Sequence, residues 1–435
     1  MNPKFIPGQT YIPSSGKVYD QKEINNAIEA VKDGWWTEGR WAKKFEGKFK
    51  KLLGTKFVSL VNSGSSANLL AVAALTSDTF GERRLKPGDE FITCPTAFPT
   101  TVNPGLIYGL KPVFVDAKLD TLNIDENKIE KAITKKTKLI MIAHTLGKPF
   151  NLTKIMKLVR KYKLWLIEDC CDALGSKYNN KYIGTFGHIA TFSFYPAHII
   201  TMGEGGALIT NNPVLHRSIR QFRDWGRDCW CDTGKDNTCG RRFSQKHGDL
   251  PFGYDHKYVY SQIGYNLKLT DMQAAIGCAQ LKKLHGFIKK RKENYQKLFK
   301  FFSQYPRYFQ LLETDKKEDP CWFGFPIIVK ENSPFTRNQL AEYLENNKIG
   351  TRNVFAGNLL RHPAYLKIKY KISGKIKNAD IIMSQAFWIG IWPGVNNNII
   401  NYIETIISNF LKSYLFDYDT LLGVSSLNND ATKTT

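Results

Sequence analysis

The chain has 435 residues, with 62 Lys and Arg against 39 Asp and Glu, a formal charge of +23. Its 42% hydrophobic and 23% charged content suffices for a sizeable core, which excludes a disordered or fibrous protein and sets a prior of roughly two or three domains. No apolar run approaches the ~18 residues of a membrane helix, and the opening Met1-Asn2-Pro3-Lys4-Phe5-Ile6-Pro7 lacks the apolar stretch of a signal peptide, so the expectation is a cytoplasmic protein with no membrane contact.

In chain order, an N-terminal arm over 1–25 leads into a helical stretch over 20–53 that is interrupted by a loop at Trp35-Trp36-Thr37-Glu38-Gly39. Alternation then begins: an apolar strand over 57–61, a Gly/Ser turn and an Ala/Leu-rich helix over 67–75. Further strands are expected at 90–93, 112–115, 139–143, 164–168, 190–194 and 206–210, with helices at 124–133 and 153–161 between them. This is the pattern of an α/β protein with a mostly parallel sheet. Periodicity is lost from about 228 to 259, then a long helix is expected over 271–302, started at Thr270-Asp271. The expected division is a large cofactor-binding domain over 26–300, a smaller C-terminal α/β domain over 301–422, and a disordered polar tail over 423–435. In the smaller domain a strand is expected at 324–329 and helices near 337–347, 378–383 and 397–414.

The positive charge is spread along helical stretches such as 43–51, 131–138 and 282–300, where Lys solvates a helix face. No RNA-binding aromatic signature or zinc-finger spacing accompanies it, so no nucleic-acid partner is expected, and an anionic small molecule or an acidic protein partner fits better.

Candidate chemistry gathers at strand ends. Asn62-Ser63-Gly64-Ser65-Ser66-Ala67 follows a strand and opens a helix, where free N–H groups and the dipole favour a phosphate. Glu168-Asp169 ends another strand, and Ser193-Phe194-Tyr195-Pro196-Ala197-His198 precedes the flexible Gly203-Glu204-Gly205-Gly206. In this order the elements fit a pyridoxal-type cofactor: Gly64, Ser65, Ser66 and Ser193 for its phosphate, Asp169 for the pyridinium nitrogen, and position 198 facing the reactive carbon.

At this point the chain resembles the sugar aminotransferases of the fold-type I, vitamin B6-dependent superfamily, which act on nucleotide-linked keto-sugars. The likeness runs through Asn62 to Asn68, Pro95-Thr96-Ala97-Phe98, His144-Thr145-Leu146-Gly147, Glu168-Asp169, Ser193 to Gly206, Gly264-Tyr265-Asn266 and Thr351-Arg352. The resemblance implies a homodimer in which Phe98 stacks on the cofactor ring and Asn266 reaches the phosphate of the neighbouring subunit. It places Asp172 where the family often has His or Gln beside the ring hydroxyl, and it makes the 37–39 loop, Arg352, Phe355, Asn358 and the run 387–392 sugar-nucleotide walls. One departure decides the chemistry: His198 stands where these enzymes carry the Schiff-base lysine, and no lysine lies between Lys181 and Lys235. Imidazole cannot hold an aldehyde cofactor covalently but can move protons, which points to pyridoxamine 5′-phosphate with His198 as catalytic base.

Of the eight cysteines, Cys229, Cys231 and Cys239 fall within eleven residues, and Cys170 and Cys171 are adjacent. Such grouping points to metal ligands, with zinc and an iron–sulfur cluster as rivals. The spacing of Cys171, Cys229, Cys231 and Cys239 resembles that of one branch of the family, the CDP-4-keto-6-deoxyglucose 3-dehydrases, which use pyridoxamine phosphate together with a [2Fe–2S] cluster. That resemblance implies a cluster held by those four residues, with a loop over about 228–256 around it, and either Cys170 or Cys171 as the first ligand; strand alternation points Cys170 away. It further implies a CDP-4-keto-6-deoxyhexose substrate that loses its C3 hydroxyl, a separate flavin/iron–sulfur reductase as electron donor, and a role in 3,6-dideoxyhexose and O-antigen biosynthesis. The rivals are a cluster-free dehydratase of the GDP-sugar, an ordinary sugar aminotransferase, and a zinc-stabilised nucleic-acid-binding protein.

Overall fold

A computed structural model of the protein describes residues 5–421. The expected tail over 423–435 lies outside them. Eight strands form the main sheet, in the spatial order Phe57–Val61, Gly206–Thr210, Ile189–Ser193, Trp165–Asp169, Thr137–Ala143, Glu90–Thr93, Lys111–Val115 and Lys371–Ser373. All neighbours pair in parallel except Gly206–Thr210, which runs antiparallel to both of its partners. The parallel strands are buried almost throughout, as a sheet covered on both faces by helices requires. This is the mixed, mostly parallel sheet of the fold-type I class.

A second, four-stranded antiparallel sheet carries Phe309–Gln310, Gly324–Val329, Ala386–Gly390 and Thr351–Asn353. The chain beyond 301 is not confined to it, because Lys371–Ser373 returns to the edge of the main sheet. Lys371 there pairs with Glu90, and Asp116 accepts the amides of Lys377, Asn378 and Ala379. Ahead of Gln21 the chain lies along the second sheet, with Ile12 bridged to Ile349 and the Trp392 indole donating to the Pro13 carbonyl.

Local chemistry explains most element ends. Asp20 and Glu23 form a capping box at the start of Gln21–Lys32, and the interruption at 35–39 is followed by Arg40–Leu53, which stops at Gly54 in the left-handed region. Thr270 and Gln273 cap the 32-residue helix Asp271–Phe302. One expected element shrinks. The helix expected over 124–133 is only Ile129–Ala132, because Ile124 bridges Ala117 and Asp125 accepts from Asn127 and Lys128 in a turn. Two helices lie outside the expected set, Pro99–Ile107 with Pro104 inside and Pro213–Arg223, capped by Asn212 and burying Leu215, Ile219 and Phe222 on one face.

Candidate active site

A cavity of about 610 Å³ opens at the C-terminal ends of the parallel strands, between the two sheets. Its anion-binding end is the start of Gly64–Leu75. Ser63 caps that helix by accepting the Ser66 amide at 3.0 Å, and a Cβ at Gly64 would meet Ser193 Cβ at 2.4 Å, so only glycine lets the Ser193 strand pack there. Gly64, Ser65 and Ser193 line the cavity, whereas Ser66 does not: its hydroxyl donates to Asn62 Oδ1 at 2.6 Å.

Asp169 ends its strand at the cavity, and its carboxylate is held from behind. Asn68 Nδ2 at 2.9 Å and Thr101 Oγ1 at 2.7 Å both donate to Oδ2, while Oδ1 accepts the Cys171 amide. Thr191 in turn donates to Asn68 Oδ1, which fixes the Asn68 amide. Phe98 lines the mouth and is 51% exposed, leaving a ring face free. An amide-cradled anion site, a fixed carboxylate and an exposed aromatic face at one cavity fit a pyridoxal- or pyridoxamine-phosphate group.

His198 lines the same cavity, and no lysine is among the residues around it. Burial, with the Arg291 guanidinium adding to it, pushes the imidazole down to about 4. His198 is therefore neutral over the whole physiological range, rather than titrating within it as an unperturbed histidine would. Asp172 Oδ1 lies 3.4 Å from His198 Nδ1, within ion-pair range, but the geometry leaves Nδ1 without a hydrogen bond. Burial, then the Asp169 charge, raises the Asp172 carboxyl to about 8. Sequence reasoning did not find Arg291, which comes from the middle of Asp271–Phe302 and donates to the carbonyls of Trp322 and Phe323, nor the donors Asn68 and Thr101. A polar residue on an otherwise apolar helix face was the only available signal.

Of the expected sugar walls, Arg352, Phe355 and Trp388 line the cavity. Glu38 is instead locked by a bidentate pair with buried Arg223, and Asn358 is fully buried and donates to Asp380. Asn266 lies outside its own chain's cavity, where its side chain accepts from Lys268.

The cysteines divide. Cys171 borders the cavity, with its sulfur 3.0 Å from where a Gly64 Cβ would stand, and burial together with Asp169 holds its thiol well above the ordinary range. Cys229, Cys231 and Cys239 gather in a loop pinned by Lys43–Asp232 and Arg242–Asp255, with His256 beside them. Four free thiols are the donors that an iron–sulfur cluster takes, and three of them already stand together. Cys94, Cys278 and Cys321 are buried packing residues.

Residues 17–408 match the model of the DegT/DnrJ/EryC1/StrS aminotransferase family. The chain belongs to this family. It is 53% identical to the lipopolysaccharide biosynthesis protein RfbH of Salmonella typhimurium, over 94% of each chain. It is 46% identical to a dTDP-4-dehydro-2,6-dideoxy-D-glucose 3-dehydratase of Saccharopolyspora spinosa, over 94% of this chain and 88% of that one. Among solved structures, E. coli GDP-4-keto-6-deoxy-D-mannose-3-dehydratase with bound hydrated PLP superposes with a TM-score of 0.82 at 30% identity, covering 92% of this chain and 100% of the other. Family members thus share the fold and the vitamin B6 cavity described above. Among the described residues no helix is long and apolar enough to cross a membrane.

Proposed function

We propose that this chain is a pyridoxamine-phosphate-dependent dehydratase that removes the C3 hydroxyl of a nucleotide-linked 4-keto-6-deoxyhexose in lipopolysaccharide biosynthesis. The observation that carries the reading is His198, a neutral and only partly exposed imidazole in a cavity lined by no lysine. When bound, the cofactor supplies an amine for the C4 ketone and an electron sink. The Gly64 helix start and Ser193 hold its phosphate, Asp169 keeps the ring nitrogen charged, and Phe98 covers one ring face. His198 takes up the proton released at the cofactor's C4′ carbon, with Asp172 beside its Nδ1. Phe323 and Trp388 wall the cavity and limit water.

In its finer form the reading assigns a CDP-linked sugar as substrate, a homodimer, and a flavin/iron–sulfur reductase as donor of the electron pair that net deoxygenation consumes. Cys229, Cys231 and Cys239, gathered in one loop, support a metal group on the chain, with Cys171 as its fourth ligand. The second reading is a cluster-free dehydratase of the GDP-linked sugar that draws its amine from glutamate; the 0.82 superposition on such an enzyme favours it. Assays with CDP-, GDP- and dTDP-linked 4-keto-6-deoxy sugars, each with glutamate or with an external reductant, separate the two. Turnover of the CDP sugar with reductant supports the first, and turnover of the GDP sugar with glutamate alone the second. Amine transfer to C4 with retention of the C3 hydroxyl would sink both.

A further inference from the structure

Arg291 is a cation where helix packing calls for an apolar side chain. The helix Asp271–Phe302 buries Leu284, Phe287, Asn294, Tyr295 and Leu298 along one stripe, and Arg291 lies in that stripe, 1% exposed. Its hydrogen bonds go to backbone carbonyls, that of Trp322 at 3.3 Å and that of Phe323 at 2.8 Å, and its Nε has no partner among the described residues. Burying a guanidinium that way is costly. One turn on, Asn294 serves two other carbonyls, those of Ile391 and Val395, with a neutral amide, so satisfying carbonyls against this helix does not require a charge.

The stretch that Arg291 holds leads into the strand Gly324–Val329 and is tied elsewhere as well. The Cys321 amide donates to Ser176 Oγ at 2.8 Å, the Phe323 amide to the Leu146 carbonyl at 2.9 Å, and the Trp322 ring stacks on Tyr295 at 4.1 Å. What the stretch delivers to the cavity is the Phe323 ring, 5.3 Å from the His198 ring and tilted 39° to it, and 5.2 Å from Trp388. His198 Nδ1 makes no hydrogen bond, which leaves packing to set the orientation of the imidazole.

We propose that Arg291 is a positioning residue for the His198 imidazole: it holds the Trp322 and Phe323 carbonyls, and with them the Phe323 ring against the imidazole, and it places a fixed positive charge near that ring. This deepens the reading of His198 as the base and rests on it. A cation near an imidazole opposes its protonation, which agrees with the downward displacement of His198. The other groups facing His198 are Asp172, from the turn after the strand Trp165–Asp169, and Tyr195, on its own segment. Asp169, Cys171, His144 and Arg352 line the same cavity.

The test uses the full chain as wild type and as Arg291→Met, Arg291→Lys, Phe323→Leu and His198→Asn. Pyridoxamine phosphate affinity is read by absorbance titration and C4′ proton exchange by deuterium uptake into the bound cofactor. Imidazole protonation is read by nitrogen NMR of the histidine-labelled chain without cofactor, the His198 signals being those missing from His198→Asn. In Arg291→Met, exchange should fall about tenfold or more while affinity stays within about threefold, as misplacement of a proton acceptor predicts. The imidazole should also protonate at a pH higher by about half a unit or more, because the opposing charge is gone. Arg291→Lys keeps the charge without the planar donor group, so protonation should stay as in wild type while exchange slows. Phe323→Leu removes the ring alone and should slow exchange with affinity kept. Equal losses of affinity and exchange in the Arg291 and Phe323 variants would mark a merely structural role and overturn the inference, as would wild-type exchange with an unmoved imidazole in Arg291→Met. Should Arg291→Met fail to fold, Arg291→Lys and Phe323→Leu decide by the same split. Wild-type exchange in His198→Asn would instead sink the reading of His198 as the base, and the imidazole spectrum of the Arg291 variants then decides the inference alone.

Discussion

Asp172 Oδ1 stands 3.4 Å from His198 Nδ1, and the burial that drives the imidazole down to about 4 also drives the carboxyl up to about 8. Both partners are therefore uncharged near neutrality, and the imidazole sits beside a protonated acid rather than a carboxylate.

That pairing fixes a pH profile. As pH falls through about 4, His198 takes a proton and can no longer accept one, so C4′ proton exchange in the pyridoxamine-phosphate-loaded enzyme is lost. As pH rises through about 8, Asp172 ionises, and a negative charge next to the imidazole favours its protonated form and strengthens the base. The exchange rate should step upward there. Asp172→Asn should abolish the alkaline step and keep the acid limb; an identical profile in the variant would disprove the coupling.

Substitution of the base itself separates binding from chemistry. His198→Asn is expected to bind pyridoxamine phosphate as wild type does while losing exchange by about 10²–10⁴-fold, the usual worth of a general base. His198→Lys should acquire a borohydride-reducible covalent link to pyridoxal phosphate. Exchange unaffected in the first variant would move the base to another residue.

At the phosphate end, Gly64→Ala would force its new methyl onto Ser193 Cβ at 2.4 Å. The helix start or the Ser193 strand must shift, and pyridoxamine phosphate should bind about tenfold or more weakly, ~1.4 kcal/mol, when titrated by its absorbance. Ser66→Ala should leave the affinity nearly intact, because that hydroxyl faces Asn62.

Glu168 serves the fold behind the site. It is fully buried and accepts the amides of Gly184, Phe186 and Gly187 as well as the His144 ring N–H. Glu168→Ala strands three backbone donors and should cost about 3 kcal/mol or more, read as a lower urea midpoint. Glu168→Gln, which keeps an acceptor oxygen, should lose less.

Much of this arrangement was legible in the chain. Apolar runs bounded by turn residues located the main strands to within a residue or two, and strand ends placed Asp169 and Ser193 at one edge, because a parallel sheet delivers its C-terminal ends to a common side. The helix opening on Pro99 was hidden by Pro104 and its weak apolar pattern, whereas Asn212-Pro213 followed by Leu215, Ile219 and Phe222 at helical spacing was a readable signal. Arg291 could not be assigned a place from sequence, since its guanidinium comes near His198 only through the packing of a long helix against the second sheet. His256, beside the loop cysteines, carries no motif signal and became visible only through Asp228 and Cys239.

The strand Lys371–Ser373 joins the main sheet from the far side of the second one, with Glu90 and Asp116 fastening the segment on either side of it. Rotating one sheet away from the other would mean peeling that edge strand and breaking those bonds together. The cleft is therefore a doorway of set width, and a sugar nucleotide enters and leaves by the rearrangement of side chains such as Phe98, Tyr195 and Arg352 at its rim, without swinging domains.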